Sequence, residues 1–285
     1  MEVRHLLRLY EQGNRDFTGV DLNGADLTGA TLIGVNLTGA NLRGANLSRA
    51  FLIKSDFSGA QMNWANLSFV KMSDAKLVEA ELTKANFSGA FLVKSKLPGA
   101  KLSGANLNGA NLRRANLWGA NLCGAQLQRS NLREANLSGV NFNWANLSEA
   151  RLIGAKLYGA SLSGVNLSRA FLKGVDLGGV DLEGVALKEA KLSGANLEGA
   201  NLAAADLSQA QLNRVNLKGA DLTAANLTNA SLEQANLTWT ILRRANLSGA
   251  DLTEAKLNGV DLEEIQLSGT ILPESTARFI YSKAM

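Results

Sequence analysis

The residues that could carry chemistry are few and far apart. His5 is the only histidine and Cys123 the only cysteine. One cysteine cannot close a disulfide within the chain or supply a multi-cysteine metal site. Without a histidine near it in sequence, Cys123 also lacks the partner that would make its thiolate a nucleophile. His5 falls in MEVRHLLRLYEQG, where Val3, Leu6, Leu7 and Tyr10 recur at helical spacing before Gly13, so it reads as a solvated histidine on a helix. Glycines five apart, as in GANLNG at 104–109, imitate half a phosphate loop, but no Gly-Lys-Ser/Thr follows any of them. The Asn-Leu-Ser and Asn-Leu-Thr triplets match the glycosylation acceptor only because Asn precedes, and Ser or Thr follows, a periodic Leu. Neither catalysis nor a bound cofactor or metal is expected, and the chain reads as non-enzymatic.

The elements that position these residues follow from the repetition of the chain. From Phe17 to Leu272 every fifth residue is Leu, Phe or Met, 52 positions in one unbroken frame. Two residues earlier stands a small residue, most often Ala, and immediately before the Leu stands most often Asn or Asp. A period of five fits neither a helix nor a strand. Five helical steps of about 100° carry the Leu roughly 140° round the axis each time, and five strand steps flip it across the sheet. The Leu can face inward at every repeat only if the chain turns a corner at every repeat. Of the 28 glycines, 26 fall two residues after the central Leu, at the turn position that needs φ > 0. In KLPGA (96–100), Pro98 and Gly99 occupy the two central positions as a type II turn prefers.

Tandem A-[ND]-L-x-x units over nine-tenths of the chain resemble the pentapeptide repeat proteins, and the opening helix followed by GNRDFTGVDLNGADL is similar to the start of many cyanobacterial members. The resemblance implies an all-β fold. It would be a right-handed quadrilateral β-helix with four repeats per coil, about 13 coils, with Leu and Ala pointing inward. At ~4.8 Å between neighbouring strands the array would be roughly 60 Å long. Burying one Leu is worth only ~2 kcal/mol, against ~1 to 2 kcal/mol to order each residue's backbone, so one coil does not fold alone and the ends need caps. The expected organisation is a capping helix within 1–14, the β-helix over 15–274 and a tail at 275–285 whose Phe279, Ile280 and Tyr281 cover the last coil or meet a second copy. A monomer or a dimer through one end is therefore expected.

Twenty residues per coil place positions a multiple of 20 apart on one face. Phe51, Phe91 and Phe171, each standing where Asn or Asp is usual, are then in register, in AFLIKS, AFLVKS and SRAFLKG. The same face carries Ile53 and Val93 and the cations Lys54, Lys71 and Lys94. Between residues 35 and 194 it holds nine cations against Asp74 and Glu134, which makes it +7. A contiguous apolar patch with a cationic surround is what a protein interface looks like. The candidate interface is Phe51, Ile53, Lys54, Lys71, Phe91, Val93, Lys94 and Phe171. The bland alternative is that Lys71 lays its stem between the rings while Lys54, Asp74 and Lys94 form a charge ladder that only stabilises the stack.

The formal charge is +4 and no lysine or arginine run occurs, so charge alone names no partner. No stretch of 18 apolar residues and no secretory h-region is present; the expected setting is cytoplasmic, away from membranes. The leading expectation is a scaffold or interaction protein, regulatory in a cyanobacterium. The resemblance adds one precedent, a cyanobacterial member that modulates heterocyst differentiation by binding its master transcription regulator, so a transcription regulator is the partner class it implies. A second branch of the family, the quinolone-resistance proteins, imitates DNA with acidic surfaces and binds gyrase; the positive charge here argues against that. Direct nucleic-acid binding is a third reading, weakened by aliphatics among the cations and by sparse aromatic stacking platforms.

Overall fold

The computed structural model describes residues 1–262 and 264–274. It divides into two compact units, Met1–Arg151 with Ala155–Ser161, and Leu152–Gly154 with Leu162–Met285. The expected tail at 275–285 lies outside the described residues.

Each unit is built by one device, seen in the first unit at Asn86–Ala90. Of the five backbone N–H groups in this repeat, three donate to neighbouring coils: Asn86 to the Ala65 carbonyl (2.9 Å), Phe87 to Asn106 (2.6 Å) and Gly89 to Asn108 (2.9 Å). A fourth, Ala90, donates to Phe87 within its own turn (3.0 Å). The fifth belongs to Ser88, and it donates to the Asn86 side-chain Oδ1 at 3.1 Å. Buried or half-buried backbone donors must find acceptors, and here Asn supplies the one that neither coil nor turn provides. That is why Asn or Asp precedes the Leu. Amides also join coil to coil, Asn86 Nδ2 donating to Asn66 Oδ1 (3.2 Å) and Asn66 Nδ2 to Asn46 Oδ1 (3.1 Å).

Parallel bridges pair the residue before the central Leu with its counterpart 20 positions on, from Asp16 with Asn36 to Asn141 with Ser161 in the first unit, so four repeats make one coil. In the second unit they run from Asn166 with Ala186 to Asp251 with Ile271. Leu and Ala fill the interior; Leu107, Ala105, Leu202 and Ala205 are wholly buried. Phe57, Phe87 and Phe142 take Leu positions and are buried as completely. Two buried hydroxyls at small-residue positions donate to carbonyls, Ser55 Oγ to Leu32 (2.9 Å) and Thr240 Oγ1 to Leu217 (2.7 Å).

At the corners the third residue of the turn is left-handed whether or not it is glycine, with φ from +53° at Glu79 to +61° at Trp144 among the non-glycine residues. This conformation costs an L-residue roughly 1–2 kcal/mol, which is why glycine holds so many of these positions. Helix α1 (Val3–Glu11) precedes the first coil and buries Leu6. The Tyr10 hydroxyl ties it down by donating to the Ile33 carbonyl (3.0 Å), and the Met1 amino group donates to the Asp21 carbonyl (2.6 Å). In the second unit Leu257, Leu262, Leu267 and Leu272 are only half-buried.

At three of the Asp residues that take the turn N–H, a Thr hydroxyl bonds the same carboxyl and makes it more acidic. The Thr18 hydroxyl and then its N–H hold the Asp16 carboxyl below its ordinary value, and Thr28 and Thr253 do the same for Asp26 and Asp251. A carboxyl depressed in the folded state contributes stability that is present above its unfolded value, about 4, and is lost as pH falls through the folded value. Asn accepts the same N–H without titrating. An Asp16→Asn, Asp26→Asn, Asp251→Asn triple variant should be nearly as stable as the parent at pH 7 and lose less stability below pH ~4, measured by urea unfolding at a series of pH values.

Candidate protein-binding face

On one side of the first unit the chain departs from its own grammar. Parallel bridges join Phe51 to Lys71 and Lys71 to Phe91, so these three side chains stand in a column on consecutive coils. The ladder that fixes them is regular, with Lys71 N–H donating to Ala50 (2.9 Å) and Phe91 N–H to Val70 (2.9 Å). Phe51 and Phe91 are therefore about 10 Å apart by backbone spacing. They are 43% and 40% exposed, whereas the phenylalanines at Leu positions are buried. A phenylalanine also has no oxygen for the N–H two residues on, so the repeats at Ile53 and Val93 forgo the side-chain cap, a loss of about 1 kcal/mol each.

Lys71 does not simply lie between the rings. Its ammonium sits over the Phe91 ring, 3.2 Å from the centroid, a cation–π contact worth ~0.5–1 kcal/mol at an exposed site. Ile53 and Val93 are half-buried beside the two rings, and Ile33 is exposed one coil earlier. Lys54 and Lys94 are exposed at left-handed corner positions with Asp74 on the coil between them. Among the described residues no ion pair joins Lys54, Asp74 and Lys94. Further along, Arg113 and Arg114 converge on Glu134, at 3.0 and 2.6 Å. Arg114 first and Arg113 second hold the Glu134 carboxyl below the usual range. Within the first unit this face carries seven cations against Asp74 and Glu134.

Sequence reasoning missed Phe69. It takes the third position of a turn with φ +55° and is 52% exposed. Its ring lies against Gly89, where an added Cβ would come within 2.5 Å of Cε1. Gly89 is two residues before Phe91, so Phe69 adds a third aromatic to the opposite edge of the face. The usable signal was a glycine 20 residues after an aromatic at a corner. Phe171 lies in the second unit, where it repeats the pairing, with the Lys191 ammonium 4.5 Å from its ring centroid.

His5 is exposed on α1, and Cys123 is half-buried with its own N–H bonded to Asn121 Oδ1. Among the described residues no three His, Cys, Asp or Glu side chains are placed to hold a metal ion, and no helix is long and apolar enough to cross a membrane. A cleft of about 440 Å³ in the second unit is lined by Trp239, Thr240, Ile241, Arg243, Gly259 and Glu264 among others. Its Arg243 is paired with Glu264 (3.1 Å), and its Thr240 hydroxyl is already bonded.

A family model described as pentapeptide repeats matches eight times, at residues 16–49, 36–74, 65–104, 105–143, 145–184, 181–219, 220–259 and 230–272. The chain belongs to the pentapeptide repeat family. Both units are right-handed quadrilateral β-helices of this family. Among solved structures the chain is similar to HetL, a pentapeptide repeat protein involved in heterocyst differentiation regulation in the cyanobacterium Nostoc sp. strain PCC 7120. That likeness is 33% identity over 96% of this chain and 98% of HetL, with a TM-score of 0.36. A pentapeptide repeat protein of the Arabidopsis thaliana thylakoid lumen is 35% identical over 33% of this chain and 65% of its own, with a TM-score of 0.32. QnrB1, a plasmid-mediated fluoroquinolone resistance protein, is 18% identical over 94% of this chain and 99% of its own, with a TM-score of 0.33. No curated protein sequence matches.

The glycine floor beneath Phe69 can be tested. Gly109→Ala introduces a Cβ into open space and should cost about 1 kcal/mol, for the left-handed φ alone. Gly89→Ala has the same φ cost and must also displace the Phe69 ring. It should cost more in urea unfolding, and the difference should vanish in a Phe69→Ala background.

Proposed function

We propose that this pentapeptide repeat protein is a non-enzymatic scaffold whose first unit binds another protein through the face of Phe51, Phe69, Lys71 and Phe91. The reading includes a regulatory role in a cyanobacterium, which the start of the chain supports by its likeness to cyanobacterial members. One observation carries the proposal: two exposed phenylalanines stand in register on alternate coils, at positions whose usual residue would cap the turn. Stack stability alone favours Asn there, since Asn both accepts the turn N–H and bonds the next coil. Covering the exposed parts of the two rings would contribute roughly 2 kcal/mol each, so the arrangement favours a complex over the free protein.

The cationic surround argues against imitation of DNA, which needs acidic surfaces. The position of Lys71 weighs against nucleic-acid binding, because its ammonium sits on a ring and Asp74 stands between the free cations Lys54 and Lys94. The test compares the parent with a Phe51→Asn, Phe91→Asn variant, after circular dichroism has shown both folded, in quantitative pull-downs from lysate of the source organism. A specific protein retained by the parent and lost by the variant supports the interface. An unchanged retained set rejects it.

A further inference from the structure

The spacing and charge of this face define the shape of what covers it. We infer that the occupant is an acidic amphipathic α-helix of a partner protein, lying along the coil-stacking axis of the first unit; this rests on the interface reading above. Coils repeat every ~4.8 Å and an α-helix repeats every ~5.4 Å, so successive helical turns fall opposite successive coils. Over the two coils from Phe51 to Phe91 the mismatch reaches only about 1 Å, which side chains absorb. An apolar residue at position i of the helix then meets Phe51 and Ile53, and one at i+7 meets Phe91 and Val93. The turn between them, at i+3 or i+4, lies over Lys71.

Charge complementarity fixes what stands there. The Lys71 ammonium lies 3.2 Å from the Phe91 ring centroid, and among the described residues no hydrogen bond or ion pair takes its remaining donors. A carboxylate at i+3 or i+4 can take those donors while the ring contact persists. Lys54 and Lys94, exposed at the corner and in no ion pair, flank the same path and favour acids on that side of the helix. Asp74 between them disfavours an acid at the middle turn of that flank. The occupant therefore has a pattern: apolar at i and i+7, acidic at i+3 or i+4, with flanking acids level with the apolar residues.

An extended strand fits less well. Its side chains on one face recur at about 7 Å, which falls between one coil and two, and no edge of the β-helix is open along this face because the coils already pair with one another. A duplex nucleic acid would bring its charges to the rings, where phenylalanine offers nothing to a phosphate.

The experiment displays a library of helical peptides, randomised on one face, against the full-length protein. Enriched sequences are measured as fluorescein-labelled peptides by anisotropy. The expected result is enrichment of the stated pattern, at least tenfold weaker binding to the Phe51→Asn, Phe91→Asn variant, and a preference at i+3 or i+4 that switches from Glu to Lys in a Lys71→Glu variant. Binders without the seven-residue apolar spacing, a preference indifferent to Lys71→Glu, or no binder that depends on the two phenylalanines would overturn it. If the pull-down yields a partner dependent on Phe51 and Phe91 whose binding segment is not an acidic helix, this inference falls and the interface reading stands. If neither peptides nor lysate proteins respond to the double variant, both fall.

Discussion

One backbone donor in five has nowhere to go, and the fold is organised around that shortage. A chain that turns a corner every five residues and stacks on itself can give four N–H groups carbonyl partners, three on neighbouring coils and one within the turn. The fifth, on the residue after the Leu, finds no carbonyl and takes the oxygen of the Asn or Asp side chain two residues before it, as Ser88 does from Asn86. A donor left unmet at such a position costs about 1–3 kcal/mol, and the array repeats the position in every turn. The preference for Asn or Asp is thus a backbone requirement met by a side chain, and the amide ladders between coils use the atoms left over.

With the donors assigned and the interior closed by Leu and Ala, function is confined to outward positions whose geometry the backbone has already set. Neighbours along a column stand one coil apart, and neighbours across a face stand one turn apart. A surface of this kind is written by column, so two residues 40 apart in sequence, such as Phe51 and Phe91, are held at a fixed separation without a loop to position them. Such rigidity suits recognition of a regular object. It does not suit catalysis, which needs polar groups converging in a concave site; in the second unit's cleft the Thr240 hydroxyl and Arg243 are already bonded.

Much of this was legible because the frame is unbroken. Once four repeats make a coil, a residue's number gives its column, so the register of Phe51, Lys71 and Phe91 could be read from the letters. The corner glycines could be read too, since only one position of the turn requires φ > 0. Phe69 could not. It holds the corner just before the column of Phe51, Lys71 and Phe91, and its ring lies against Gly89 one coil on, a contact that depends on a missing Cβ and not on periodicity. The division into two units was equally hidden, because the five-residue frame continues without interruption through residues 151–162. Among the described residues Lys54, Asp74 and Lys94 form no ion pair, although Arg114 and Glu134, at the next left-handed corners of the same column, pair at 2.6 Å; at such exposed positions a pair gains at most ~1 kcal/mol.

Lys71 shows how such a surface can be both stable alone and selective in a complex. In the free protein its ammonium rests on the Phe91 ring, so part of the ~1.5–2 kcal/mol of rotamer entropy that a lysine loses on being fixed is lost before any partner arrives. Binding is stronger when groups are ordered in advance, because association then pays less for freezing them. Phe51 and Phe91 are held by the ladder on either side, so the whole column is preorganised. Selectivity follows from sign. A carboxylate placed over Lys71 gains a charge-assisted bond of roughly 1.5–3 kcal/mol as water leaves, whereas an ammonium there meets a like charge that cannot retreat without abandoning the ring. On the proposed reading the apolar rings would supply affinity, and the cation between them would decide which partners can approach closely enough to use it.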